Sequence, residues 1–207
     1  MIEYVLIAVL CIVAIVIIVE LLGHIPTIDL PFFRDFNYVP PDKRAGDNGE
    51  KIVAAAIRRV MRDGDKLFTN VTVSYEDKVT ELDNVVVNRR GVFIFEVKNY
   101  SGKLIGGEDD YEWEKYHTSA GGNTYLKMVK NPIKQVKRQT YILAKYLESY
   151  GVPVWVDGYA VLLGANAPTD SGTILYSAED IDRVMHKGKN SKLTVKTAEA
   201  VCALLSD

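Results

Sequence analysis

Apolar positions are distributed unevenly along the chain, and the longest apolar run lies at its N-terminus. Residues 4–19 contain no charged side chain, and Glu20 is the first interruption. A helix of about 20 apolar residues is long enough to cross a bilayer. The run shows no amphipathic stripe, as a core helix would, and it lacks the basic flank and cleavage site of a signal peptide. The pattern therefore predicts a single transmembrane helix over residues 1–22, which contacts the lipid bilayer through residues 4–22.

The following segment, residues 23–45, contains four prolines and four aromatic residues. Proline at this density disfavours helix, so we predict a semi-extended linker. The basic residues nearest the apolar run lie on its C-terminal side, at Arg34, Lys43 and Arg44. Positive residues favour the cytoplasmic side of a membrane. We therefore expect a single-pass protein of the cell membrane with a cytoplasmic domain.

Beyond the linker, hydrophobic periodicity predicts alternating helices and strands. Helices are expected at 50–60, 132–150, 177–185 and 197–205, and strands at 67–75, 82–88, 92–98 and 154–163. Asn48 is expected to cap the first helix, and the pair Asn131-Pro132 to begin the second. Residues 101–124 are rich in glycine and polar residues, which predicts a hairpin or loop containing Trp113.

This order of elements is typical of an α/β fold with a mixed sheet flanked by helices. We expect one domain over residues 46–165 and a C-terminal helical extension of the same domain over residues 166–207. The first 22 residues contain two acids and no base, so the rest of the chain has no net charge. Any surface for nucleic acid must therefore be a local patch. The two distant cysteines and three scattered histidines offer no zinc cluster or disulfide framework.

Two charged residues interrupt an otherwise apolar strand. Glu96 and Lys98 lie two positions apart, so both side chains leave the same face. If this strand and the one before it form an antiparallel hairpin through Gly91, Asp83 falls near Glu96. Two carboxylates can hold Mg²⁺, and a lysine beside them can orient or deprotonate a water molecule. The alternative interpretation is a structural ion pair between Glu96 and Lys98, with Asp83 as a turn residue.

Several segments together resemble a known family. They are Gly49-Glu50, Glu81-Leu82-Asp83-Asn84, Gly91-Val92-Phe93-Ile94-Phe95-Glu96-Val97-Lys98-Asn99-Tyr100-Ser101-Gly102, Trp113 and Asn131-Pro132-Ile133-Lys134-Gln135. Over about residues 46–165 the chain resembles the NERD (nuclease-related) domain, which is similar to the PD-(D/E)xK superfamily and its restriction-endonuclease-like fold. The departures are Leu82, where the superfamily has proline, and Asn84, where NERD sequences often have histidine.

The resemblance implies a role for each matching residue. Asp83 and Glu96 correspond to metal ligands for Mg²⁺ or Mn²⁺, and Lys98 corresponds to the catalytic lysine. Glu50 corresponds to an acid that completes the metal site, and Gln135 to a glutamine that approaches the metal or the phosphate. Without the resemblance, Glu50 reads as an acid favoured by the helix dipole and Gln135 as a solvent-facing residue.

We therefore expect a membrane-anchored, metal-dependent nuclease that hydrolyses DNA with an activated water molecule, with RNA as an open alternative substrate. The competing expectation is a catalytically weak or inactive module that binds nucleic acid or another partner at the membrane. A basic group precedes and enters the helix at 132–150, and it suits either phosphate contacts or a solvated face: Lys127, Lys130, Lys134, Lys137 and Arg138. Tyr111, Trp113 and Tyr116 suit either base stacking or packing of the hairpin.

Overall fold

The computed structural model describes residues 41–119, 121–164, 167–187 and 192–206. The four helices are α1 (Pro41–Val60), α2 (Pro132–Ser149), α3 (Ala178–Lys187) and α4 (Val195–Ser206). The eight strands are β1 (Lys66–Tyr75), β2 (Lys78–Asn88), β3 (Gly91–Asn99), β4 (Lys103–Ile105), β5 (Glu112–Thr118), β6 (Thr124–Lys130), β7 (Val156–Leu163) and β8 (Ile174–Leu175). These numbers and the statements below refer to the described residues.

Five strands form the central sheet, in the order β1-β2-β3-β7-β8. The first three strands are antiparallel neighbours, and β7 pairs with β3 in parallel. The parallel pairing follows from the crossover through α2, which returns the chain in the direction of β3. The predicted α/β fold with a mixed sheet is thereby confirmed.

Helices cover both faces of this sheet because its central strands are apolar on both sides. On one face, Phe93 and Phe95 of β3 pack with α1 and α3. On the other face, Val92 and Ile94 pack with α2 and α4. Residues 91–97 are buried without interruption, as predicted for a central strand.

A second, three-stranded sheet has the order β4-β5-β6. Strands β4 and β5 lie in the region predicted as a hairpin or loop, residues 101–124, whereas β6 begins at the end of that region and was not predicted. Trp113 of β5 is fully buried and packs with Ile133 of α2 and Leu162 of β7. Its indole Nε1 donates to the carbonyl of Gly107 at 2.8 Å. Trp113 is therefore a packing residue and is not available to stack on a base.

The first helix begins earlier than predicted. Helix α1 starts at Pro41, and Asn48 lies inside it, so the predicted cap at Asn48 is wrong. Proline is tolerated in the first turn of a helix, where its missing N–H would have no intrahelical partner. By contrast, Asn131 caps α2 as predicted, because its side chain accepts a hydrogen bond from the backbone N–H of Ile133.

The predicted transmembrane helix at residues 1–22 lies outside the described residues. None of the helices that the structure does describe is long and apolar enough to span a membrane.

Candidate active site

Alternation along β3 aims two charged side chains at α2. Val92 and Ile94 lie on the face covered by α2, so Glu96 and Lys98 follow on the same face. Glu96 is only 2% exposed. A buried carboxylate requires hydrogen-bond donors or a cation, since its loss of hydration is costly.

Helix α2 lies close enough to the sheet to supply donors. At Gly158 of β7, an added Cβ atom would lie 2.4 Å from Cγ1 of Val136 and 2.5 Å from Cγ2 of Thr140. The absence of a side chain at Gly158 thus permits the close approach of α2. Gln135 and Gln139 are adjacent in sequence to these two contact residues, and both side chains reach Glu96 of β3.

Glu96 accepts hydrogen bonds from three side chains. Its Oε1 atom accepts from Nζ of Lys98 and from Nε2 of Gln135, each at 2.5 Å. Its Oε2 atom accepts from Nε2 of Gln139 at 2.6 Å. Gln139 also donates to the backbone carbonyl of Glu81 at 3.1 Å. The carboxylate of Glu96 is therefore held in one orientation at the sheet end of a cleft.

Asp83 lies where the ladder between β2 and β3 stops. The backbone pairing of the two strands reaches Asn84 opposite Phe95. One position further, Oδ2 of Asp83 accepts the backbone N–H of Val97 at 2.7 Å. On the other side of β2, Asn70 has a positive φ of 55°, which interrupts the ladder with β1 opposite Asp83. Both breaks leave Asp83 at an opening between strands.

The surroundings of Asp83 disfavour the charged form of its carboxyl group. Burial, and then the nearby charge of Glu96, raise the pKa of Asp83 to about 7. The backbone N–H of Val97 and the amine of Lys98 oppose this shift but do not cancel it. The charged form of Asp83 is therefore disfavoured near neutral pH, and a bound cation would stabilise it.

Glu50 approaches the same group from the opposite face of the sheet. Gly49, which precedes it on α1, packs against Val97 and Asn99 at the end of β3. Burial raises the pKa of Glu50, and the nearby charges of Asp47, Glu81 and Glu96 raise it further.

Asp83 separates two cavities. The larger has a volume of about 910 Å³ and includes Asp83, Glu96 and Gln135 in its wall. The smaller, of about 360 Å³, includes Glu50, Asp83 and Asn84. Of the five residues predicted from sequence, the structure thus brings Asp83, Glu96 and Gln135 to one cleft and sets Lys98 against Glu96. Glu50 lines the adjoining cavity.

Several buried polar atoms lack partners among the described residues. The Oε1 atoms of Gln135 and Gln139 accept no hydrogen bond, and neither amide atom of Asn84 is paired. Buried polar groups are normally paired with protein or water. These orphaned atoms are the kind that ordered water or a bound ligand would satisfy.

Gln139 is a candidate site residue that was not predicted from the sequence. It is 1% exposed and contacts the second oxygen of Glu96. The signal that could have found it is its spacing, since Gln135 and Gln139 are four residues apart and therefore share one helix face.

Chemically, the cleft offers oxygen ligands and one lysine. Within the described ranges, no three histidine, cysteine or acidic side chains are grouped to enclose a metal ion. Mg²⁺ is commonly bound by one or two carboxylates, with water and substrate phosphate as the remaining ligands. Asp83 and Glu96, with the unpaired oxygen of Gln135, fit that donor chemistry.

Comparison with known proteins identifies the family. The sequence model of a family described as the nuclease-related domain matches residues 45–163, which is more than half of the chain. The chain therefore belongs to the nuclease-related domain family, and the resemblance stated from the sequence is confirmed.

Other similarities are more limited. An uncharacterized protein of Bacillus anthracis is 35% identical over 72 residues, which make up 34% of this chain and 34% of that protein. The matched stretch thus spans about a third of the relative's length. No solved structure matches the chain.

Proposed function

We propose that this protein is a nuclease that depends on Mg²⁺ or Mn²⁺ and hydrolyses phosphodiester bonds of DNA. The observation that carries the proposal is the group at the open end of β2 and β3. There Asp83 and buried Glu96 lie at neighbouring positions of adjacent strands, with Nζ of Lys98 2.5 Å from Oε1 of Glu96. Membership of the nuclease-related family supports the same reaction class.

In this proposal Asp83 and Glu96 hold the divalent cation. When bound, the cation supplies charge stabilisation for the phosphodiester and lowers the pKa of a coordinated water. Lys98 orients or deprotonates the attacking water, or offsets charge on the phosphate. The water attacks phosphorus directly, so no covalent intermediate with the protein is required.

The remaining residues position this group. Gln135 and Gln139 fix the two oxygens of Glu96, so that the carboxylate does not need to reorient during the reaction. Glu50 completes the acidic environment from the side of α1.

The sheet topology supports a restriction-endonuclease-like fold. An antiparallel unit of β1, β2 and β3 is followed by a crossover helix, α2, and the parallel strand β7. The acidic pair lies on β2 and β3, at the end of the sheet where their pairing stops.

The experiment that tests the proposed activity is a nuclease assay. The full chain, purified in detergent, is incubated with supercoiled and linear DNA in Mg²⁺ or Mn²⁺, beside Glu96→Gln and Lys98→Met. We expect each substitution to lower the rate at least about 100-fold. Glu199→Gln, an exposed position on α4, is the control and retains the wild-type rate. Equal degradation by all four proteins would indicate a contaminating nuclease and contradict the proposal.

A second candidate function is a tethered module that binds nucleic acid or another partner without turnover. The observation that favours it is that both carboxylate oxygens of Glu96 are already occupied, since together they accept three hydrogen bonds within the protein. DNA binding that survives Glu96→Gln and Lys98→Met, with no cleavage in either metal, would support this function and contradict the first.

We also propose that residues 1–22 anchor the protein to the cell membrane in a single pass, with the domain in the cytoplasm. The support is the uncharged run at residues 4–19. Membrane fractions washed with alkaline carbonate should retain the full chain and release a chain that begins at residue 41. Release of both proteins by carbonate would contradict the anchor.

The orientation is tested separately. Protease added to sealed spheroplasts should leave the domain intact, and digestion of the domain would contradict the cytoplasmic orientation.

A further inference from the structure

A short acidic loop before β5 is held in a fixed position. We name residues 107–110 the acidic loop; it contains Glu108, Asp109 and Asp110. Nδ2 of Asn131 lies within 2.7–3.2 Å of three of its carbonyls, those of Gly107, Glu108 and Asp110. The backbone N–H of Gly107 also donates to Oδ2 of Asp110 at 2.6 Å. The backbone of the loop is thus tied to the start of α2.

Two acidic side chains of this loop pair with lysines of α2. Asp109 Oδ1 lies 3.0 Å from Nζ of Lys134, and Glu108 Oε1 lies 3.0 Å from Nζ of Lys137. Lys134 lowers the pKa of Asp109 through this hydrogen bond and its charge. Since the Asp109 side chain is 95% exposed and Glu108 is 42% exposed, both carboxylates can turn into solvent while the loop backbone stays in place.

One of the two lysines, Lys134, lines the candidate active site. Lys134 and Arg138 line the same cleft as Asp83 and Glu96. Lys137 lies one helical turn from Lys134 on the same helix. A phosphate anion attracted to these residues would therefore be adjacent to the acidic pair.

We propose that Lys134 and Lys137 bind phosphates of the nucleic-acid strand that enters the cleft, and that Asp109 and Glu108 occupy these lysines when no nucleic acid is bound. The proposal rests on the proposed function for the identity of the ligand. Solvent-exposed ion pairs are weak, so phosphate oxygens can displace the two carboxylates. The acidic loop then acts as a built-in competitor that makes binding weaker than the lysines alone would allow.

An anionic lipid surface offers the same phosphate chemistry to these lysines. The structure favours nucleic acid, because Lys134 shares a cleft with Asp83 and Glu96, whereas a flat headgroup layer cannot follow it into a cleft. The experiment below includes a lipid arm that separates the two ligands.

The test measures binding of a fluorescein-labelled single-stranded oligonucleotide to the full chain in detergent and EDTA, by fluorescence anisotropy. The double variant Glu108→Gln/Asp109→Asn is expected to bind about threefold to tenfold tighter than the wild type at 100 mM salt. Lys134→Gln/Lys137→Gln is expected to bind at least about tenfold more weakly, and its slope of log affinity against log salt should fall by about 1.5.

The control is Glu148→Gln/Glu199→Gln, which changes the net charge by the same amount. Glu148 pairs with Lys145 at the other end of α2, and neither residue lines the cleft. The control should change affinity by less than about twofold. Equal tightening in the control and in the acidic-loop variant would overturn the competitor role. Unchanged affinity in the lysine variant would overturn the phosphate site.

The lipid arm repeats the titration with phosphatidylserine in the micelles. If the lysine substitutions abolish displacement by phosphatidylserine but leave oligonucleotide affinity intact, the proposal is overturned in favour of a lipid contact. Cleavage is not needed for these readouts. If the variants change oligonucleotide affinity as expected but the nuclease assay shows no cleavage, the nuclease is rejected and the phosphate site is retained. If the protein cleaves DNA but the lysine variant binds the oligonucleotide as the wild type does, only the phosphate site is rejected.

Discussion

Two clusters of charged side chains differ in how their carboxylates are partnered. The first joins α3 to the segment after α1. Nε2 of His186 lies 2.9 Å from Oδ2 of Asp65, and Nδ1 lies 2.7 Å from Oδ1 of Asp182. Arg62 reaches the same oxygen of Asp182 at 2.9 Å. The hydrogen bond from His186 and the charge of Arg62 lower the pKa of Asp182.

The second cluster, around Asp83, contains more acid than base. Its acids are Glu50, Asp83 and Glu96, and Lys98 forms an ion pair with Glu96. Burial and Glu96 raise the pKa of Asp83 to about 7, the opposite direction from Asp182.

The comparison distinguishes charged side chains that hold the fold together from carboxylates that can bind a cation. A cluster whose carboxylates each contact a donor side chain holds two elements together and has no need of a ligand. A cluster with surplus carboxylates lowers stability until a cation binds, and perturbed groups of this kind are typical of functional sites. We therefore infer a structural role for the His186 cluster, and the Asp83 cluster is the site of the proposed function.

The largest expected effect on stability comes from disrupting the His186 cluster. His186→Ala leaves the buried carboxylate of Asp65 without its imidazole partner and should lower the free energy of unfolding by about 3 kcal/mol. Urea unfolding followed by circular dichroism measures this loss. His117→Ala, at an exposed position of β5, is the control and should have little effect. Equal midpoints for the two variants would show that the His186 cluster is not structural.

Removing an amide that supports Glu96 should affect activity more than stability. Gln139→Leu deprives Oε2 of Glu96 of its donor. If Glu96 is the metal ligand that we propose, kcat should fall about 10-fold to 100-fold, the usual cost of losing a residue that supports a metal ligand. The KM for DNA should change little, because Gln139 is buried and does not line the cleft that contains Asp83 and Glu96. Tyr141→Leu, exposed on the same helix, is the control. A rise in KM at constant kcat would argue against a positioning role.

Neutralising the surplus charge should stabilise the protein. In EDTA at pH 7.5, Asp83→Asn should raise the free energy of unfolding by about 1 kcal/mol, while nuclease activity is lost. The amide oxygen of the new side chain can still accept the N–H of Val97. Asp170→Asn, at an exposed position, is the control. Destabilisation by Asp83→Asn would mean that the carboxylate is satisfied in the folded protein, contrary to the comparison.

The same charge predicts a pH dependence. The pKa of Asp83 is about 7 in the folded protein and 3.8 in its reference state, so between these values the folded state binds more protons. Stability in EDTA should therefore increase as the pH is lowered from 8 to 5, and Asp83→Asn should reduce this slope. The lowered pKa of Asp182 has its effect below about pH 4, outside this range. Identical slopes in the wild type and Asp83→Asn would contradict the assignment.

The sequence was most informative where local pattern determines structure. The continuous apolar run around Glu96 predicted a strand buried on both faces, and hairpin geometry through Gly91 placed Asp83 near Glu96. Period-2 alternation then put Glu96 and Lys98 on one face. Each of these inferences depends on neighbours in sequence or on one tight turn.

Long-range contacts explain what was missed. Gln139 looks like a solvent-facing residue until Gly158 allows α2 to approach the sheet. Strand β6 has almost no buried residue, so it carries no hydrophobic alternation to predict it. The early start of α1 was missed because Pro41 was interpreted as linker rather than as the first turn of a helix.

The most direct test of the surplus-charge account is calorimetric titration of Mn²⁺ into the full chain at pH 7.5. We predict one binding event in the wild type and in His186→Ala at a temperature where that variant is folded. The event should be absent in Asp83→Asn and in Glu96→Gln. Equal heats of Mn²⁺ binding in all four proteins, or no binding in any of them, would contradict the claim that Asp83 and Glu96 form a cation site.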